Sequence, residues 1–403
     1  MNAAGAPPTF EQTLRALLPE TAATAAQEPL ADLDYALELD LKSRALVQFL
    51  QLHGVKPAPA PVLASPRPRG YRTTTKRRVY GSARGVGLGF AQPVKPGVVL
   101  TSALEPESHA RLYRALQEIL SRPAYAALAR VARWLILRGG YERHVLILNI
   151  SGIDADVARK LKLLAALLEK EALVPGTLVS GALAYIDPTC SDYYLEAERP
   201  PQGLQIKHLW GDRLLGLEAE GKLLRFPPTV FSQVNESMVP PFLAQARALL
   251  QPQADDHLLD LYCGYGLFSH TLGAECRKVT GVELSAEAIR SAQAIAKRQG
   301  TAGRMTFHAA RIDERFFTGK LGAPTGAEVA LLDPPRQGCA PGVIKAVAAR
   351  RPRRVLHVFC GTDEIPGELR QWKGAGYRVA AIRPLDMFPG TPGLETLVLL
   401  EPR

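Results

Sequence analysis

Two glycines, three acids and one cysteine carry the spacing in this 403-residue chain that could do chemistry. Leu259-Asp260-Leu261-Tyr262-Cys263-Gly264-Tyr265-Gly266 reads as an apolar strand ending in a closely spaced glycine pair. Glycine lets a backbone turn tightly and approach a ligand. The third glycine of a dinucleotide fingerprint is missing, because Ser269 holds that position. A second run ends Gly281-Val282-Glu283-Leu284, 23 residues separating Glu283 from Asp260. An acid at the end of a second strand can take both hydroxyls of a ribose. Loop and acid together fit an adenosine-bearing cofactor: S-adenosylmethionine, a dinucleotide, or a coincidence of spacing. A third run, Leu331-Leu332-Asp333-Pro334-Pro335-Arg336, ends in an acid and a Pro-Pro that fixes the backbone and removes donors.

The thiols are Cys190, Cys263, Cys276, Cys339 and Cys360. None forms a CxxC pair, so neither a disulfide framework nor a structural zinc site is expected. A reducing compartment leaves room for a reactive thiol. Cys263, inside the glycine loop, and Cys339 read as packing residues. No histidine spacing suggests a metal ligand set, and no metal is expected.

These residues need elements to hold them. From about Phe226, strand-like runs at 258–262, 279–284, 329–333, 355–359, 377–382 and 396–400 alternate with helical ones at 286–299, 341–350 and 365–373. That alternation predicts an α/β fold with a doubly wound, mostly parallel sheet, whose ligands sit at the carboxyl ends of the strands. The middle third reads as α+β: helical spacing over 111–137, a strand at 144–150, an amphipathic helix at 156–170, strands at 178–186 and 211–217. The first 40 residues look helical, and the Pro/Ala-rich stretch 56–69 looks like a linker.

Charge narrows the partner class. The formal net charge is +10, but residues 1–40 hold seven acids against Arg15, whereas residues 41–104 hold eleven Lys or Arg and no acid. Such clustering is the footprint of a polyanion binder, set against an ordinary solvated basic face. No amphipathic aromatic anchor accompanies it, which disfavours a membrane surface. No basic-then-apolar leader follows Met1, and the apolar stretch 176–186 is too short to span a bilayer. A cytoplasmic protein without an obligate protein partner is expected.

Taken in order, the segments resemble the RNA uracil-C5 methyltransferase family, which makes 5-methyluridine in tRNA or 23S rRNA. Phe231-Ser232-Gln233-Val234-Asn235 resembles its Phe-Gln-Val-Asn motif, 260–268 its first cofactor motif, and Asp333-Pro334-Pro335-Arg336 its fourth. His357-Val358-Phe359-Cys360 resembles its nucleophile strand. Asp386-Met387-Phe388-Pro389 followed by Glu395-Thr396 resembles its terminal motif. The resemblance implies a Rossmann-like class I methyltransferase domain over 226–403, after an α+β RNA-binding domain over 66–225 and a helical, acidic then basic segment over 1–65. It implies S-adenosylmethionine held by Gln233, Tyr262, Gly264, Glu283 and Asp333, Cys360 as nucleophile, Glu395 as base and Arg336 supporting the base pocket. The implied partner is rRNA or tRNA. No iron–sulfur cluster is expected, since no cysteine precedes Cys190.

The chain departs from the family pattern in places. Gly361-Thr362 stand where Asn-Pro usually follows the cysteine, Leu267 stands at a commonly polar loop position, and Gly393-Leu394 replace His-Val before the terminal acid. Two other readings therefore stand beside a uracil methyltransferase: an enzyme acting on another RNA base, and an RNA-binding protein with weak or no catalysis. A nucleotide-dependent oxidoreductase is the third, and the missing glycine counts against it.

Overall fold

The computed structural model describes residues 7–19, 28–82, 84–170, 174–190, 205–319, 321–324 and 326–403. The helical expectation for the first 40 residues falls partly outside them. What is described there is α1 (Phe10–Arg15), whose capping box joins Thr9 and Gln12, and α2 (Tyr35–Leu52), capped by Asp34.

The chain divides into two compact units, and the division differs from the expected three spans. Residues 69–218 and 223–236 form one unit; residues 1–68, 219–222 and 237–403 form the other. The N-terminal helices thus belong to the same unit as the C-terminal sheet. Phe10, Leu14, Leu41, Ala45 and Phe49 share a buried core with Leu261, Leu332, Val343, Phe359 and Trp372. The stretch expected to be a linker is docked by its backbone. Ala60 and Leu63 donate N–H bonds to the Ile382 and Pro384 carbonyls at 3.0 and 2.9 Å, alongside the strand Tyr377–Leu385.

The middle unit holds a six-stranded sheet in the order β2-β1-β3-β4-β5-β6. Its strands are β1 (Thr74–Ser82), β2 (Gly85–Gly89), β3 (Ala132–Gly139), β4 (Arg143–Ile150), β5 (Leu178–Ile186) and β6 (Gln205–Gly211). Helices α3 (Glu107–Ser121), α4 (Ala126–Val131) and α5 (Ala155–Lys170) contribute Leu112, Leu116, Leu128, Leu161 and Leu164 to its core. The helix expected over 111–137 stops at Ser121, because Pro123 cannot continue it, and Trp134-Leu135-Ile136-Leu137 become strand. The strand expected at 211–217 is instead the end of β6 and the start of β7 (Leu215–Ala219), which pairs with β8 (Lys222–Phe226).

After α6 (Val239–Leu250), the C-terminal sheet comprises β9 (His257–Leu261), β10 (Lys278–Glu283), β11 (Met305–Ala309), β12 (Glu328–Leu332), β13 (Arg354–Phe359), β14 (Tyr377–Leu385) and β15 (Glu395–Pro402). Their order is β11-β10-β9-β12-β13-β15-β14. The first five run parallel; β15 is antiparallel to both β13 and β14. Helices α7 (Leu267–His270), α8 (Ala286–Arg298), α9 (Glu314–Gly319), α10 (Val343–Ala349) and α11 (Ile365–Gly374) connect them. Every residue of β9 and β12 is buried, as expected for strands covered on both faces. Among the described residues no helix is long and apolar enough to cross a membrane.

Candidate active site

The parallel register brings the carboxyl ends of four strands to one edge. Leu261 of β9 pairs with Val282 of β10 and Leu332 of β12, and Leu332 pairs with His357 of β13. Tyr262, Glu283, Asp333 and Cys360 therefore emerge along the same rim. The antiparallel β15 supplies the fifth group. Phe359 pairs with Thr396, so the next step of the ladder sets Cys360 against Glu395.

The glycine loop is built by conformation. Tyr262, Gly264 and Gly266 all have positive φ, at 64°, 54° and 87°. A Cβ placed on Gly264 would meet nothing within 4 Å, so that backbone borders open space. The Gly264 N–H points to Glu283 Oε2 at 3.3 Å, while Glu283 Oε1 accepts from Ser285 N at 2.8 Å. Asp260 is fully buried beneath the loop. Its Oδ2 accepts from Ser269 Oγ at 2.6 Å, and its Oδ1 has no hydrogen-bond partner among the described residues. Burial raises the Asp260 pKa to about 7, with the Glu283 charge adding and Ser269 opposing. Asp333 is pushed up to about 7 as well, by burial and then by Asp260 and Glu283. Three crowded carboxylates beside an open glycine turn fit a ligand bearing a positive charge and ribose hydroxyls.

The second half of the rim surrounds Cys360. Its Sγ lies 3.6 Å from the Pro334 carbonyl. Burial pushes the thiol up to about 12; Glu395 and Asp333 add to the rise and Arg336 opposes it. Glu395 is itself buried and its carboxyl is held well above the usual range, by burial first and then by Asp333, with Arg336 opposing. The exposed Arg336 guanidinium lies 6.0 Å from the centroid of the Phe388 ring. Gly361 has a local cause: a Cβ there would sit 2.7 Å from the Arg336 carbonyl. The chain needs glycine after Cys360 because the Pro-Pro-Arg segment runs against it. Leu267, the other departure near the cofactor loop, is buried.

Seven of the eight candidate residues lie in the C-terminal unit along this rim. Gln233 lies in the other unit, partly buried in the segment after β8. Within that unit, fully buried Arg138 holds this segment by hydrogen bonds to the Pro228 and Val230 carbonyls and to Ser232 Oγ.

Residue spacing did not reveal the cluster of Cys339, His357 and Glu368, whose ligating atoms lie within 4.8 Å of one another. Trp372 Nε1 donates to His357 Nδ1 at 3.0 Å. An indole N–H only donates, so the histidine is neutral and its proton sits on Nε2. That nitrogen is 3.1 Å from Glu368 Oε2 and 3.8 Å from Cys339 Sγ. Metal coordination at Nε2 would move the proton onto Nδ1, against the indole. Glu368 Oε1 accepts from Cys339 N at 2.5 Å, so the cluster pins the loop after Arg336 to α11 and β13.

Residues 202–403 match the family described as tRNA (uracil-5-)-methyltransferase. An uncharacterized RNA methyltransferase of Gloeobacter violaceus is 26% identical over 379 residues, covering 92% of this chain and 79% of that protein. The 23S rRNA (uracil(1939)-C(5))-methyltransferase RlmD of Edwardsiella ictaluri is 36% identical over 193 residues, covering 47% of this chain. That match spans 43% of the Edwardsiella protein, less than half its length. A solved structure, the Pyrococcus abyssi tRNA (uracil-54, C5)-methyltransferase in complex with S-adenosyl-L-homocysteine, superposes with a TM-score of 0.67 at 18% identity. It covers 93% of this chain and 85% of its own, and establishes a shared fold.

Proposed function

Because the chain belongs to the tRNA (uracil-5-)-methyltransferase family, we propose that it methylates carbon 5 of a uridine in RNA, with Cys360 as nucleophile and Glu395 as base. The observation that carries this reading is the β13–β15 register, which sets Cys360 against Glu395 with Arg336 electrostatically coupled to both.

S-adenosylmethionine, when bound, supplies an electrophilic methyl group on a sulfonium. Tyr262, Gly264, Glu283 and Asp333 hold it in this reading. Carbon 5 of uracil is a weak nucleophile and needs activation. Cys360, only partly buried, gives its proton to solvent, and the thiolate forms a bond to carbon 6 while the ring electrons move onto the carbon-4 oxygen as an enolate. Arg336 favours both negative charges. Carbon 5 then takes the methyl group. Glu395 accepts the carbon-5 proton, the carbon 5–carbon 6 double bond returns and the Cys360 sulfur leaves. Burial and then Asp333 strengthen the hold of the Glu395 carboxylate on a proton and Arg336 opposes them, so the ionised form, which Arg336 favours, is the one that accepts. The uridine leaves its stack to reach the rim.

The test is transfer of label from S-adenosylmethionine to separated tRNA and rRNA from cells lacking the gene, followed by nucleoside analysis. The expected product is 5-methyluridine in one fraction, absent with Cys360→Ala. Label on cytidine would discard the base assignment. RNA binding with no label in either fraction would leave a non-catalytic RNA-binding protein.

A further inference from the structure

Helix α2 carries a buried ion cluster that neither the cofactor rim nor RNA binding uses. Glu38, Lys42 and Asp386 have no exposed surface. Lys42 Nζ lies 2.8 Å from Glu38 Oε1, 2.7 Å from Asp386 Oδ1 and 3.3 Å from the Phe388 carbonyl. Its three ammonium hydrogens thus face three acceptors. Tyr35 OH donates to Asp386 Oδ2 at 3.1 Å and accepts from Ser65 N at 2.7 Å. Glu38 Oε1 also accepts from Gly390 N at 2.6 Å, and the Gly390 carbonyl accepts from Leu30 N at 3.2 Å.

The contacts of Lys42 and Tyr35 with Asp386 and Phe388, and of Glu38 with Gly390, fall in residues 386–394, the connection between β14 and β15, while Ser65 ties Tyr35 to the segment after α2. The pair Leu385–Glu395 closes that connection, so Glu395 is the first stem residue beyond it. The same loop carries Phe388, over which Arg336 lies. Burying a lysine between two carboxylates is costly unless the geometry is held. Here the Lys42–Asp386 ion pair and the Glu38–Gly390 hydrogen bond tie α2 to the loop that leads into the base.

We infer that Lys42 of α2, with Tyr35 and Glu38, is a positioning residue that clamps the β14–β15 loop and so sets Glu395 against Cys360. This rests on the reading of Glu395 as the base. A clamp on the base acts on one step. Cysteine attack and methyl transfer proceed, whereas carbon-5 deprotonation slows, leaving the methylated RNA attached to the protein through Cys360.

The experiment uses the full chain with labelled S-adenosylmethionine and substrate RNA. It measures turnover, KM for S-adenosylmethionine, and protein–RNA adduct on denaturing gels. Glu395→Gln calibrates the adduct. Lys42→Met is expected to lose about ten- to a hundredfold in kcat, to hold KM for S-adenosylmethionine within about twofold, and to accumulate adduct. Tyr35→Phe keeps both ion pairs and removes one hydroxyl, so it folds even where Lys42→Met does not. It should show the same signature more weakly. Asp40→Asn, an exposed change on the same helix, should behave as wild type. Wild-type turnover in Lys42→Met and Tyr35→Phe would overturn the clamp. So would a loss of activity without adduct, since a merely structural role slows all steps together. If Glu395→Gln itself traps no adduct, the base assignment falls, and the clamp loses its target.

Discussion

A thiol facing two carboxylates ionises late, and Cys360 is such a thiol, lifted to about 12 by burial, Glu395 and Asp333 and lowered by Arg336 and a backbone hydrogen bond. The rate of alkylation of Cys360, followed by peptide mass spectrometry across pH, reads that balance. Removing the positive charge with Arg336→Gln should move the alkylation midpoint to higher pH. Removing a negative charge with Glu395→Gln should move it lower. The order Glu395→Gln, wild type, Arg336→Gln is therefore fixed by sign; the reverse order would remove both residues from the thiol's surroundings. Asp260 yields a second prediction. Its pKa in the folded chain is about 7, against roughly 3.9 for an unfolded aspartate. Between those values the unfolded chain releases a proton that the folded chain keeps. Stability is then full below pH ~4 and falls as pH rises to ~7, by up to about 4 kcal/mol for one isolated group. Asp260→Asn should raise the melting temperature of the ligand-free protein at pH 8 more than at pH 5.5, while weakening S-adenosylhomocysteine binding measured by calorimetry. Equal melting shifts at both pH values would refute the linkage.

At the scale of elements, the close approach of Arg336 to Gly361 makes a geometric prediction. Gly361→Ala puts a methyl group 2.7 Å from the Arg336 carbonyl, so either β13 or the Pro-Pro-Arg segment must shift. A displacement of that order at a reacting group costs roughly a hundredfold in rate. Single-turnover methylation should fall accordingly, with the melting temperature changed by only a few degrees. Unchanged single-turnover rates would show that the two segments yield freely. The C-terminal half of the fold was legible because its buried strands are continuous apolar runs separated by capped helices, as at Leu331-Leu332 and Ser285. The strand Met305–Ala309 escaped notice since Met-Thr-Phe-His-Ala has neither a long apolar run nor clean alternation. Strand β3 was hidden by an upstream helix whose spacing ran into it. Most of the candidate residues were readable as motifs, but their meeting was not. The juxtaposition of Cys360 and Glu395 depends on which edge β15 takes, and a register carries no local signal. Glu38 and Lys42 look in sequence like an ordinary surface pair one helical turn apart. Only the fold shows that Asp386 closes over them. Trp372 and His357 are invisible for the same reason.

For the molecule as a whole, electrostatics is the part that sequence overstated. Residues 41–104 hold eleven bases, but Lys42 is enclosed by Glu38 and Asp386, and Arg77 is buried against Glu105, 2.5 Å away. The remaining nine are exposed or partly exposed. Each phosphate neutralised on a single strand contributes about 0.7 to the slope of log affinity against log salt. The stretch can therefore account for a slope of at most about 6. Within the middle unit, Arg78, Arg84 and Lys95 are exposed. Replacing them together with glutamine should flatten the slope by about 2, with little change in melting temperature, as read by fluorescence anisotropy of a labelled RNA over a potassium chloride series. Arg77→Met should do the opposite. Its guanidinium holds Glu105 and the Leu100 carbonyl and lies over Phe90 and Tyr113, so its loss strands a buried carboxylate and costs about 3–5 kcal/mol of stability without flattening the slope of whatever protein remains folded. A triple variant that kept the wild-type slope would move the RNA-binding surface away from this strand and its turn. The positive charge of the stretch would then be an ordinary solvated face.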